Sequence, residues 1–190
     1  ADGLKMSASY STDDGTAKAA TARMENAWGV GATYVTSAGD TALTIGAGFS
    51  GGDVANNDTQ TTGGKEGFHA GVSAVTGDLT VAVGYGDGNS FVGTTTNQDV
   101  EFSVLKAGIS YVTGDLTLAV GGTSASAKDS AFGATTTKDD SKDTLSGSVT
   151  YAVASGVSAV LGYLTEDHQN DGVSATTGGS SWYIGATMSF

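Results

Sequence analysis

The chain has 190 residues, of which 30 are glycine and none is proline or cysteine, and its formal net charge is -12. That charge excludes nucleic-acid binding, which needs a basic face, and the lack of cysteine excludes disulfides and thiolate metal sites. No run of about twenty apolar residues occurs, which excludes a membrane-spanning helix but not a membrane β-barrel, whose apolar residues alternate with polar ones.

Ten segments alternate apolar and polar residues with a period of two, which is typical of β-strands. In chain order they are 4–10, 28–35, 43–49, 68–75, 79–85, 105–112, 116–121, 145–153, 157–164 and 180–190. The alternation is irregular in one place, because Phe102 and Val104 have the opposite parity from Leu105 and Ala107. We therefore expect a β-bulge before residue 105, or a strand that begins there.

The connections between these segments alternate in length. The short ones contain glycine and, in most cases, aspartate, as tight hairpin turns require, and they are 36–40, 76–78, 113–115 and 154–156. The long ones are rich in glycine, threonine, asparagine, aspartate and serine, and they are 11–27, 50–67, 86–101, 122–144 and 165–180. This alternation predicts an antiparallel sheet with tight turns at one end and polar loops at the other.

Aromatic residues collect at both ends of the segments, always with the parity of the apolar face. Those at the long-connection ends are Tyr10, Trp28, Phe49, Phe68, Tyr85, Tyr163 and Trp182. Those at the short-connection ends are Tyr34, Tyr111, Tyr151 and Phe190. A bilayer selects aromatic residues at its two interfaces, whereas a soluble sandwich would place them in the middle of its core. The pattern therefore favours a sheet that crosses a membrane.

The opposite face consists mainly of glycine, serine, threonine and alanine, with Lys5, His69 and Lys106 among them. Side chains this small cannot fill a barrel interior to the density of a protein core. The sequence thus predicts an all-β, antiparallel transmembrane β-barrel, with lipid outside and water inside. Lys5, His69 and Lys106 are the candidates for pore-lining residues. They either form a weakly cationic wall or are three scattered, solvated charges.

The terminal sequence SWYIGATMSF, which ends on Phe190, and the hairpin sequence VTGDLTVAVGYGDG resemble outer-membrane general diffusion porins of Gram-negative bacteria. These sequence features are similar to those of the alphaproteobacterial, Rhodobacter-type members of that family. The resemblance implies a bacterial outer-membrane location, short periplasmic turns, long extracellular loops and one barrel segment over 1–190. It also implies a homotrimer in contact with lipid and lipopolysaccharide, and recognition of the Phe190 strand by the barrel assembly machinery.

Porins of this class have sixteen strands, whereas the sequence supplies about ten. The start, ADGLKMSASYSTDDG, resembles a strand from the middle of such a porin more than a first strand. We therefore expect the chain to be the C-terminal part of a sixteen-stranded porin. A complete ten-stranded barrel is the alternative, since an even strand number also allows closure.

The resemblance implies passive diffusion of small hydrophilic solutes and ions, without catalysis and without a cofactor. The negative loop charge predicts a weak preference for cations at low salt. Three acidic stretches, 53–60, 138–143 and 166–172, are possible Ca²⁺ ligands, although solvated charge is the simpler interpretation.

A barrel without a pore, with a structural or adhesive role, is one alternative function. Another is an omptin-like protease, because Asp139-Asp140 and Asp167-His168 are the kind of pairs that activate a water molecule.

Overall fold

The computed structural model describes residues 3–12, 23–55, 63–93, 97–131, 138–169 and 177–189. Its ten strands form one sheet in which sequence neighbours are antiparallel and hydrogen-bonded, as predicted. The strands are β1 (Leu4–Ser11), β2 (Arg23–Ala38), β3 (Thr41–Ala55), β4 (Gly63–Thr76), β5 (Leu79–Gly93), β6 (Asn97–Thr113), β7 (Leu116–Ala131), β8 (Lys138–Ala154), β9 (Val157–Gln169) and β10 (Thr177–Met188). Within these ranges, no helix has the length and apolarity that crossing a membrane requires.

Glycine fixes the tight turns of the hairpins. Gly39, Gly77 and Gly114 each begin a two-residue turn with a left-handed φ of 61°, 56° and 57°, and each is followed by aspartate. Glycine at this first position is the requirement of the type II′ turn, whose twist matches that of the flanking strands. The turns therefore set the register of the β2–β3, β4–β5 and β6–β7 hairpins.

The sheet has two chemically different faces. Both residues of a cross-strand pair lie on the same face, so the apolar face carries pairs such as Met6–Ala32 and Val72–Val83, and the polar face carries the alternate pairs, such as Ser7–Gly31. Among the described residues no apolar side chain is buried, and many of the large apolar side chains are between 36% and 86% exposed. All but five of these lie on the apolar face, the exceptions being Val35, Val75, Phe102, Val112 and Tyr183. A face of this size requires lipid or another protein to cover it.

The expectation of a β-bulge before residue 105, or of a strand that begins there, is wrong, because β6 begins at Asn97 and continues through this region. β6 pairs with β5 from Tyr111 to Asn97 and with β7 from Thr113 to Gln98 without a register shift. Phe102 therefore lies on the polar face together with Lys106. Register shifts occur instead between Glu25 and Trp28 and between Ala152 and Ala154, among the described pairs.

The strands are longer than the alternating segments predicted, mainly at the long-connection end. The predicted loop 86–101 belongs largely to β5 and β6, for example, and the predicted loop 122–144 belongs largely to β7 and β8. The cause is that alternation marks a strand only where its two faces have different surroundings. Beyond the apolar band both faces are polar, so the hydrogen-bonded ladder continues without a hydrophobic signal.

Candidate functional site

Aromatic side chains form a row on the apolar face toward the long connections, here called the loop-end belt. Its members are Tyr10, Trp28, Phe49, Phe68, Tyr85, Tyr163 and Trp182. Ring centroids are 5.5 Å apart in Trp28–Phe49, 5.8 Å in Phe68–Tyr85 and 4.6 Å in Tyr163–Trp182, all with tilted rings. These are the distances at which aromatic pairs attract each other beyond simple burial. The belt thus connects neighbouring strands.

The loop-end belt crosses the hydrogen-bonded rows of the sheet at an angle. Successive cross-strand partners lead from Phe68 on β4 to Asp87, Ser103, Ser126, Ser141 and Gln169. The belt residue of β9, Tyr163, lies 169 − 163 = 6 residues closer to the turns than Gln169. Six residues extend about 20 Å along a strand, and the five strand spacings from β4 to β9 extend about 24 Å across the sheet. The belt is therefore inclined by about 40° to the hydrogen-bonded rows.

A second row, the turn-end belt, has a similar inclination. Its described members are Tyr34, Tyr111 and Tyr151, while Phe190 lies outside the described residues. The cross-strand row of Tyr34 reaches Ala107 on β6 and Leu145 on β8. Tyr111 lies 111 − 107 = 4 residues nearer the short turns than Ala107, and Tyr151 lies 151 − 145 = 6 residues nearer the short turns than Leu145. Since β6 and β8 are four and six strands away from β2, the belt is displaced from the row by one residue for each strand crossed. Strands of membrane barrels are tilted by about 35–45°, so two belts at constant depth would cross the rows in this way.

Lys5, His69 and Lys106 lie on the polar face and line one cavity of about 590 Å³. Lys5 and Lys106 belong to the same cross-strand row, and the partners between them are Thr33, Gly46, Gly71 and Gly84. His69 lies in the next row, opposite Gly48 and Gly86. The sequence placed these three residues on one face, and the register brings them to one surface on which the residues between them are mostly glycine.

Three of the rings on the polar face cover a glycine of the neighbouring strand. A Cβ atom added at Gly48 would lie 2.6 Å from His69 Cε1, and one added at Gly88 would lie 2.6 Å from Phe102 Cζ. At Gly162 an added Cβ would collide with the ring of Tyr183. Aromatic side chains that cover cross-strand glycines shield the backbone and fix the register. Because these rings lie against the sheet, they leave the space above it open.

Residues 1–172 match the family model of Gram-negative porins. The chain belongs to the Gram-negative porin family. It is therefore a protein of the bacterial outer membrane, as the sequence predicted. No curated protein sequence matches this porin significantly.

Solved structures show the same fold at low sequence identity. The in-vitro folded outer membrane protein OmpT of Vibrio cholerae aligns with a TM-score of 0.68 and 17% identity, covering 99% of this chain and 61% of OmpT. A loop L8 deletion mutant of OmpT gives 0.66 and 18%, over 99% and 59%. The alcaligin outer membrane receptor FauA of Bordetella pertussis gives 0.59 and 13%, over 98% and 35%. This porin chain thus spans about three-fifths of the length of OmpT.

A second charged group lies on the polar face of β8 and β9. Lys142 and His168 are cross-strand partners, and Lys142 Nζ lies 2.9 Å from Glu166 Oε2 in an exposed ion pair. Asp140 also belongs to this face. These residues have no apolar neighbours on alternate positions, so the periodic pattern did not include them. The register of β7–β8 and β8–β9, which is continuous around these residues, is the signal that places them.

Of the two pairs considered for catalysis, only Asp167 and His168 have both side chains in the described part of the chain. Asp167 and His168 are successive residues of β9, so their side chains lie on opposite faces of the sheet. The side chain of Asp139 lies outside the described residues, while Asp140 is on the polar face.

Several carboxylates lie on the apolar face, on the long-connection side of the loop-end belt. Tyr85 Oη donates a hydrogen bond to Asp87 Oδ2 at 2.9 Å, and Asn26 Nδ2 donates one to Asp53 Oδ2 at 2.9 Å. Of the stretches named as Ca²⁺ ligands, 56–60 and 170–172 lie outside the described residues. Within the described ranges, no three histidine or acidic side chains are grouped closely enough to hold a metal ion.

Proposed function

We propose that this porin forms a water-filled channel for passive diffusion of small hydrophilic solutes and ions, with the polar face toward the lumen. The observation that carries the proposal is the division of the sheet into two exposed faces without a core between them. Lipid covers the apolar face, and water forms hydrogen bonds with the hydroxyl groups of the other face. The glycine, serine and threonine side chains of the polar face leave room for solutes, as the glycine floor beneath Lys5 and Lys106 illustrates.

The channel proposal includes a barrel larger than ten strands, with sixteen as in porins of the Rhodobacter type. Among the described strands, β1 and β10 each have a partner on one side only. The Gly3 carbonyl accepts a hydrogen bond from Val35 N, just as the Asp78 and Asp115 carbonyls, which close two-residue turns, accept from Val112 N and Ala152 N. Gly3 has a φ of 85°, similar to the 75° of Gly156, which ends the two-residue β8–β9 turn and whose carbonyl accepts from Ser189 N. These features support a further strand before β1.

Native mass spectrometry of the porin purified from outer membranes tests the size and the assembly together. We expect a chain mass clearly above 18.7 kDa and a complex of three copies, since the family resemblance implies a homotrimer. A single copy with a chain mass of 18.7 kDa would contradict both the larger barrel and the trimer. The proposed partners also include outer-membrane lipid, lipopolysaccharide and the assembly machinery at the C-terminal strand.

We propose no catalytic role and no bound cofactor for the channel. An enzyme of the omptin-like kind needs two groups that share one water molecule. Asp167 and His168 lie on opposite faces of β9, and His168 lies opposite Lys142 instead. The arrangement therefore supports a pore rather than a hydrolytic site.

Planar-bilayer recording of the natively purified porin tests the channel. We expect stepwise, ohmic openings, because an open lumen lined by small polar residues conducts without a conformational cycle. The control is the same preparation boiled in detergent, which should be silent. A native protein that inserts into the bilayer but stays silent would contradict the proposal.

A further inference from the structure

Charge is sorted between the two faces of β1–β6 in a way that the net charge of -12 hides. On the described polar-face positions of these six strands the ionisable residues are Lys5, Lys65, His69 and Lys106, and none is a carboxylate. The strand carboxylates with described side chains in this part of the sheet, Asp53, Glu66, Asp87 and Glu101, occupy the register positions of the apolar face. The polar face of β1–β6 is therefore a positive surface within an acidic protein.

The two lysines and the histidine of this surface that line the cavity are arranged along the depth of the sheet. Lys5 follows Leu4 at the beginning of β1, and its cross-strand partner Thr33 precedes Tyr34 of the turn-end belt. His69 follows Phe68 of the loop-end belt. Because the belts are inclined to the rows, Lys106 on β6 lies near the depth of the loop-end belt although it shares a row with Lys5. The cavity of about 590 Å³ connects the three residues.

We propose that the part of this surface that lines the cavity, with Lys5, His69 and Lys106 but without Lys65, is a binding track for small oxyanions, such as inorganic phosphate and short carboxylates, along the wall of the channel. The inference rests on the proposed channel and assigns a solute class to it. It reverses, for this wall, the cation preference that the negative loop charge predicts. Oxyanions fit because they accept hydrogen bonds from lysine ammonium groups and from the Ser7 and Thr33 hydroxyls, which lie in the same cavity.

The glycine floor makes the track effective. Between Lys5 and Lys106 the row contains three consecutive glycines, and His69 is flanked by glycine on both sides. Strands are about 4.8 Å apart, so His69 lies roughly 14 Å across the sheet from Lys5 and roughly 10 Å from Lys106. Thr33 is the one residue with a side chain between Lys5 and Lys106 in this row. At about 0.01 M salt the Debye length is about 30 Å, so an anion anywhere along the row is within the field of a lysine.

The first test is the reversal potential of the full porin in a KCl gradient at low salt. A unit charge about 6 Å from an ion in water changes its local concentration roughly threefold. Removing the charge lowers the local chloride concentration and raises that of potassium, so we expect the ratio of chloride to potassium permeability to fall by up to roughly tenfold in Lys106→Gln, and further in Lys5→Gln/Lys106→Gln. Lys65→Gln is the matched control, because Lys65 lies on the same face but outside the cavity. An equal effect of all three variants would overturn the track.

The second test measures binding without conduction, and so separates the track from the channel. Inorganic phosphate is titrated with the detergent-solubilised porin, and the phosphorus NMR line width is followed. We expect broadening with the unaltered porin and with Lys65→Gln, and its loss in Lys5→Gln/Lys106→Gln. A silent bilayer together with phosphate binding would overturn the channel but not the track. Openings whose selectivity and phosphate binding are unchanged in the double variant would overturn the track but not the channel.

Discussion

Replacing Val83 by arginine is expected to destabilise the folded porin in lipid by about 2–4 kcal/mol, the cost of an arginine near the midplane of a membrane barrel. Val83 lies on the apolar face between the two belts, two residues from Tyr85, and is 44% exposed. Its partners Val72 and Ala107 offer no counter-charge. The measurement is urea unfolding in liposomes, followed by the loss of the compact band on unheated gels.

Ala82→Arg is the matched control, because it introduces the same side chain one residue away on the polar face. Ala82 pairs with Ser73 and Gly108, where small neighbours and water leave room for the guanidinium group. We expect a change within about 0.5 kcal/mol. Equal destabilisation by Val83→Arg and Ala82→Arg would contradict the assignment of the lipid face, because both positions would then be in similar surroundings.

The substitution Gly162→Ala is expected to cost about 0.2–1 kcal/mol, the worth of a cross-strand side-chain contact, because the half-exposed ring of Tyr183 can move aside. Gly162 is buried because the ring of its cross-strand partner Tyr183 covers it, and an added methyl group would collide with that ring. Tyr183 must then leave its position over the backbone, which also weakens the register of β9 and β10. Unfolding in urea, with tyrosine fluorescence as the probe, measures the loss.

The neighbouring glycine provides the control for this prediction. Gly185 lies on the same face of the same hairpin, and an added Cβ would lie 3.5 Å from Val160 Cγ1, an ordinary contact. Gly185→Ala should therefore be neutral or slightly stabilising, through the reduced freedom of the unfolded chain. In the background Tyr183→Ala, the cost of Gly162→Ala should disappear. If that cost stays the same without the ring, the collision is not its cause.

The porin sequence by itself determined the class of the fold and the composition of both faces. Alternation with a period of two is a local property, so Ile45 and Phe49 can be assigned to one face and Gly46 and Gly48 to the other without a structure. The glycine of the short turns and the parity of the aromatic residues are equally local. For the same reason, the alternation in each strand was enough to assign Lys5, His69 and Lys106 to the polar face.

Local parity could not determine which residues stand beside each other, because a cross-strand pair joins residues far apart in the chain. Only the register shows that Lys5 and Lys106 share a row with glycines between them, and that the belts cross the rows at an inclination. The register also corrected the expected bulge in β6, since Phe102 has room on the polar face above Gly88. The strand ends beyond the belts were missed because water surrounds both faces there, and hydrogen bonding alone maintains the ladder.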